Sequence, residues 1–241
     1  MNRVSPYYQE KHYLMSLVLS SLYSQVSDEL VFKGGTYLWF FHGLPRASED
    51  LDFTAVGDVD MEGIVGVLVD DLAAYGIGAT RRDEGSPASY TTRLAIEGPI
   101  YDGVNPNHIR MEVSLRSDLA RDPVVASFRS PYTDVPNFTL LGMDPSEVLA
   151  EKTRAMLWRS RARDMYDVHH LMGTGVPFDA DLVRAKLAYY DIVPGEGMVQ
   201  EALDRCEDRW KAELSPVIKG GPPDIAPMRG AIEAFLREKL L

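Results

Sequence analysis

An α+β domain followed by an all-helical one is the fold class that the sequence predicts, and three observations predict it. Strand-like apolar runs and helical periods interleave through residues 1–143. At Asp144 the texture changes from turn-punctuated β-rich runs to long helical periods. That period continues to Leu241, interrupted by "IVPGEG" and "KGGPPDIAP". The expected domains are therefore 1–143, a mixed sheet with flanking helices, and 144–241, a helical bundle.

Taken in order, "PYYQEKHYLMSLVLSSLYSQV" predicts an amphipathic helix from about Pro6 to Val26. Its apolar stretch, Leu14 to Leu22, is broken by serines and too short to span a bilayer, and the N-terminal residues lack a signal-peptide cleavage pattern. "ELVFKGG" predicts a short buried strand ending in a turn. "TYLWFFHGL" predicts a helix closed by Gly43, with Pro45 beyond. "EDLDFTAVG" is a second strand. "DMEGIVGVLVDDLAAYG" carries Ile64, Val67, Leu68, Leu72 and Tyr75 at helical spacing, with Gly76 as a stop. Three β-rich runs follow: "ASYTTRLAIEG", "HIRMEVSL" and "NFTLLGM". Asp144 and Pro145 then supply an N-cap and a first-turn proline. Two helices follow and meet near Arg161–Arg163.

The composition is that of a globular protein, with 45% hydrophobic and 25% charged residues. A formal net charge of −11 opposes indiscriminate binding to nucleic acid or anionic membranes, while leaving room for a local basic groove. The single cysteine, Cys206, excludes an intrachain disulfide framework and a paired-cysteine metal knuckle, and suits a reducing cytoplasm. It reads as a small part-buried residue of a C-terminal helix. His169 and His170 lack metal-ligand companions at suitable spacing.

The chemistry concentrates in "FKGGTYLWFFHGLPRASEDLDF". Residues two apart on a strand share a face, so Asp50 and Asp52 project together while Leu51 and Phe53 pack on the other side. Paired carboxylates repel unless a cation separates them, and they suit a hard divalent ion such as Mg²⁺. Glu112, between Met111 and Val113, is a third acid in an apolar alternating strand. If the two strands are neighbours, Asp50, Asp52 and Glu112 gather two metal ions for displacement at phosphorus. The alternative stands beside it: a solvated aspartate pair, with Glu112 paired to Arg110 or Arg93. The glycines of "KGGT" favour the first reading, because they permit close approach to a ligand just before a helix N-terminus. Phosphate on one side and metal on the other suits a nucleoside triphosphate.

The second block is "EVLAEKTRAMLWRSRARDMYDVHHL". Lys152, Ala155 and Arg159 share a helix face, with a small residue between two cations leaving room for an anion. Arg154, Arg159, Arg161 and Arg163 form either a phosphate track or partners for Glu147, Glu151, Asp164 and Asp167. Asp164 is either functional or the cap of a helix starting at Met165, and Asp167 either functional or a complement to the helix dipole.

Together these blocks resemble the AbiEii family of nucleotidyltransferase toxins in the DNA polymerase β-like superfamily, over roughly Phe32 to Leu171. The resemblance implies a polymerase β-like core with a C-terminal helical bundle. By position it implies that Gly34, Gly35 and Thr36 cradle the triphosphate. Asp50 and Asp52 bind Mg²⁺, and Glu112 is the third acid and possible base. Arg46 and Ser48 contact phosphates or order the loop. Lys152 neutralises the triphosphate, and Asp164 or Asp167 holds that lysine or the nucleotide. Thr36 stands one place from the serine of the usual Gly-Ser turn, which puts its hydroxyl contact in doubt. The implied activity is two-metal nucleotidyl transfer from an NTP to RNA, most plausibly the tRNA 3′ end, by a cytoplasmic toxin restrained by an AbiEi-type antitoxin and with no membrane role. The rivals are a same-fold transferase acting on a protein or small molecule, and a degenerate domain that binds nucleotide without turnover.

Overall fold

The computed structural model describes residues 5–26, 28–86, 88–116 and 118–241. The chain divides into two compact units: Met1–Gly43 with Ala47–Met143, and Leu44–Arg46 with Asp144–Leu241.

In the first unit the elements run α1 (Pro6–Gln25), β1 (Leu30–Lys33), α2 (Gly34–Phe41), β2 (Asp50–Ala55), α3 (Met61–Ala74), β3 (Gly78–Ser86), β4 (Ser89–Glu97), β5 (Asn107–Ser114), β6 (Val124–Phe128) and β7 (Phe138–Gly142). The strands form one sheet in the order β3-β4-β5-β2-β1-β7-β6. It is mixed: β2 runs parallel to β5 and β1 to β7, while the other neighbours are antiparallel.

Period-two burial sets the two faces. On β5, Ile109, Met111 and Val113 are fully buried, whereas Arg110, Glu112 and Ser114 are partly exposed. On β2, Leu51 and Phe53 are buried and Asp50 and Asp52 are not. The apolar face receives α1, whose Leu14, Met15, Val18, Leu19 and Leu22 are fully buried. This helix packs against α3, β5 and β7, so apolar residues surround most of its circumference. Phe32 stacks on Phe53 at 5.0 Å between ring centres and meets Tyr37 edge-on at 5.7 Å, which fastens α2 to the sheet. Asp60 caps α3 by accepting a hydrogen bond from the Gly63 N–H at 3.0 Å.

Two strands were not expected. β3, "GATRRDEGS", is polar on both faces and lies at one edge, paired only with β4; such charged edges resist pairing with other chains. β6, "VVASF", forms the opposite edge and is too short to carry a clear alternation.

The second unit contains α4 (Pro145–Arg159), α5 (Ala162–Gly173), α6 (Ala180–Ala188), α7 (Glu196–Leu214) and α8 (Ile225–Lys239). Asp144 caps α4, accepting from the N–H groups of Ser146 and Glu147 at 2.9 and 3.3 Å. Ser160 ends α4 in the left-handed conformation, φ 51°, and its hydroxyl accepts a hydrogen bond from Arg205 Nε at 3.0 Å. α7 packs on α4, α5 and α8 around buried Leu149, Met165, Leu171, Leu203 and Leu236. Cys206 is fully buried here; burial, with Asp164 nearby, pushes its thiol up to about 12. Among the described residues no helix is long and apolar enough to cross a membrane.

Candidate functional site

The bend between β1 and α2 is built on Gly34, at φ +78°, where a side chain is strained. A Cβ there would also collide with the Asp52 carboxylate. Asp52 therefore lies directly over the glycine at the start of α2, near the N–H groups that the first helical turn leaves without helical partners. Thr36 is fully buried, and its hydroxyl donates to the Asp50 carbonyl oxygen at 2.5 Å. That side chain joins α2 to β2 rather than facing a ligand, so the expected hydroxyl contact to phosphate is replaced by a structural one.

Across the sheet, Asp52 stands in register with Lys33 on β1 and with Glu112 on β5. The strand adjacency that the sequence reading required is present. Asp50 is in register with Arg110, and Arg110 Nη1 pairs with Glu112 Oε2 at 2.5 Å. Among the described residues no group of three or more His, Cys, Asp or Glu side chains is gathered closely enough to hold a metal ion. The three-acid cage expected of Asp50, Asp52 and Glu112 is thus not assembled in this arrangement. The reason is local: Arg110 sits two residues from Glu112 on the same face and takes its carboxylate. The donor set still suits a hard cation, since Asp50 and Asp52 share a face and Glu112 lies one strand away. Ser48 is buried just before β2.

Arg46, Lys152, Asp164 and Asp167 belong to the second unit, where they form a buried ion network. Arg46 holds Asp167 with two charge-assisted bonds, Nε to Oδ1 at 2.7 Å and Nη2 to Oδ2 at 2.6 Å. Lys152 Nζ lies 2.8 Å from Asp167 and 3.3 Å from Asp164. Arg159 closes the set on Asp164 at 2.7 and 2.9 Å. Both aspartates are at least 99% buried. Burial works to lower the Lys152 pKa, but Asp167 and then Asp164 outweigh it and the value is raised. Burial likewise works to raise the Asp164 pKa, and Lys152 with Arg159 holds it below the usual carboxylate range.

This geometry revises several expectations. The anion between Lys152 and Arg159 is Asp164 of the next helix. Asp164 does not cap a helix at Met165: α5 starts at Ala162, and Asp164 lies in its first turn. A lysine already held by two carboxylates brings little uncompensated charge to a phosphate, so Lys152 and Arg46 act here as a lock between α4, α5 and the segment 44–46. The other arginines of the block are engaged as well, Arg161 with Glu213 at 3.1 Å and Arg154 over the Tyr190 ring at 4.6 Å. Glu147 and Glu151 take Lys186 at 2.7 and 3.2 Å.

A mixed sheet that presents acids beside a glycine bend, joined in the chain to a helical unit, defines a nucleotidyltransferase-type fold. Solved structures agree. A putative nucleotidyltransferase from H. pylori is 17% identical, covering 98% of this chain and 97% of its own, with a TM-score of 0.68. JHP933 from Helicobacter pylori is 18% identical over 98% and 94%, with a TM-score of 0.66. MenT4, a nucleotidyltransferase toxin from Mycobacterium tuberculosis H37Rv, is 20% identical over 95% and 84%, with a TM-score of 0.60. No curated protein sequence matches the chain. The family model for the nucleotidyl transferase AbiEii toxin of type IV toxin–antitoxin systems matches residues 18–237, and this chain belongs to that family. Membership implies an antitoxin partner.

Proposed function

We propose that the protein is a Mg²⁺-dependent nucleotidyltransferase that moves a nucleotide from an NTP to the 3′ end of an RNA, with tRNA as the acceptor. One observation carries the reading: Asp50 and Asp52 share a face of β2 over the Gly34 bend, with Glu112 in register on β5. Asp50, Asp52 and Glu112 would hold the magnesium ions. When bound, these ions would neutralise triphosphate charge and make the reacting hydroxyl more acidic.

The chain's own residues do the rest. The backbone of Gly34–Thr36 offers N–H groups to phosphate oxygens, and glycine leaves room for their approach. A Glu112 carboxylate oxygen takes the proton of the acceptor hydroxyl. The hydroxyl oxygen forms its bond to the α-phosphorus as the bond to pyrophosphate breaks. For Glu112 to serve, it must exchange its Arg110 contact for the acceptor; a partly exposed ion pair is worth no more than about 1 kcal/mol, so that exchange is cheap.

The test is labelling by wild type and Asp52→Ala with each α-labelled NTP, in parallel against total RNA and total protein. The expected result is Mg²⁺-dependent label in the RNA pool only, absent with the variant and with chelator. Equal labelling by both proteins would remove Asp52 from the reaction. Label in the protein pool would move the acceptor to a side chain.

A further inference from the structure

A row of arginines leads away from Asp50. The sheet register pairs Asp50 with Arg110, Arg110 with Arg93, and Arg93 with Arg82, so one residue from each of four neighbouring strands lies on one line. Strands lie about 4.8 Å apart, so the three guanidinium-bearing positions span roughly 10 Å from β5 to the sheet edge. Exposure rises along the row, with side chains 33%, 57% and 81% exposed at Arg110, Arg93 and Arg82. At its inner end lies a cleft of about 310 Å³ whose lining includes Tyr7, Lys11, Glu49, Asp50, Arg93 and Arg110. Lys11 is almost wholly buried and is anchored by donating to the His108 carbonyl oxygen at 2.7 Å, so this cation is fixed at the wall.

We propose that this row and cleft are the acceptor site: the cleft takes the 3′-terminal nucleotide of a single-stranded RNA end, and Arg93 and Arg82 hold the phosphates upstream of it. The inference rests on the nucleotidyl-transfer reading for its orientation, with the free hydroxyl at Asp50. Charge complementarity selects the occupant. In a chain of net charge −11, Arg110, Arg93 and Arg82 with Lys11 gather four cations along one line and its cleft, and a polyanion that displaces their acidic partners suits them. The cleft volume is at the small end for ligand pockets, and Tyr7 gives it an aromatic wall. Glu49 and Asp50 act on Lys11 at the cleft, and two further acids stand along the row. Glu84 lies 3.6 Å from Arg82 and 3.8 Å from Arg93, and Glu112 pairs with Arg110. Such exposed pairs are weak and give way to phosphate.

The test is equilibrium binding of a short 5′-fluorescein RNA with a free 3′-hydroxyl, without NTP, across a salt series. The proteins are wild type, Arg82→Gln/Arg93→Gln, the charge-retaining Arg82→Lys/Arg93→Lys, and the single Arg82→Gln. The last alters a side chain four-fifths exposed and so guards against misfolding. With about 0.7 of slope per phosphate contact on a single strand, the double glutamine variant is expected to lose roughly 1.4 from the log–log salt slope, and the lysine variant to keep it. The single variant is expected to lose about half as much. RNA binding unchanged in the glutamine variants would overturn the assignment. So would equal binding of a phosphopeptide of matching charge. Arginine-dependent RNA binding by a wild type that labels nothing would uphold the acceptor site and overturn the catalytic reading. Transfer at limiting RNA that is the same in wild type and double variant would do the reverse.

Discussion

On β2, Asp50 and Asp52 stand half-buried on one face of a strand, with Lys33, Arg110 and Glu112 in register around them. In the helical unit, Asp164 and Asp167 are sealed from solvent, and each is held by two cations. The two sets have similar composition and opposite consequences. A buried carboxylate must have compensating charge wherever it sits, because desolvation costs several kcal/mol. Asp164 and Asp167 obtain it from Lys152, Arg46 and Arg159, and the result is a fixed lock. Partly exposed acids stay within reach of water, which leaves the β2 face able to exchange partners for a ligand. Crowded charge at a solvent-facing site points to chemistry, and the same charge fully paired in a core points to architecture.

The comparison breaks first at Asp167. Asp167→Ala leaves Arg46 and Lys152 buried without their shared carboxylate, and a loss of about 3–5 kcal/mol is expected in denaturant unfolding. Asp52→Ala, which relieves crowding at a half-exposed site, should stay within about 1 kcal/mol of wild type while losing transfer activity. Similar destabilisation by both would erase the distinction.

Acid sharpens it next. The Asp164 pKa is held below the usual carboxylate range, by Lys152 and Arg159 against the opposing effect of burial. Its stabilisation is therefore present above the ordinary carboxylate pKa and is lost as pH falls through the depressed native value. Lys152, with its pKa raised, contributes fully below the ordinary lysine value and loses that contribution only as pH rises through the native one. Unfolding midpoints measured from neutral to acid pH should fall in that lower window for wild type, and more shallowly for Asp164→Asn.

Gly34→Ala costs far less stability than Asp167→Ala and is still decisive for the site. Left-handed backbone costs a non-glycine residue about 1–2 kcal/mol, and the methyl group must also displace the Asp52 carboxylate. Transfer should drop far more than the unfolding midpoint does. A variant with full activity would mean that the glycine bend carries no ligand.

Much of this was legible along the chain. The strand reading of "EDLDFTAVG" and "HIRMEVSL" placed Asp50, Asp52 and Glu112 on their faces, because alternation is local and a strand has only two sides. The Asp144 cap was legible because the cap and its N–H partners lie within three residues. β3 was not, since a polar edge strand owes its conformation to β4 rather than to its own pattern. The Arg110 contact with Glu112 was one of the partners considered, and only side-chain geometry selected it over Arg93.

By itself the sequence determined which residues bear charge, which face of each strand they occupy, and where the run of helices after Asp144 begins. Those properties follow from spacing and from short-range capping. Tertiary structure alone decided which charges meet: Arg46 finds Asp167 across 121 positions, and Arg110, Arg93 and Arg82 line up only through strand register. Coulomb interaction and desolvation depend on distance and burial in space, and a linear pattern contains neither.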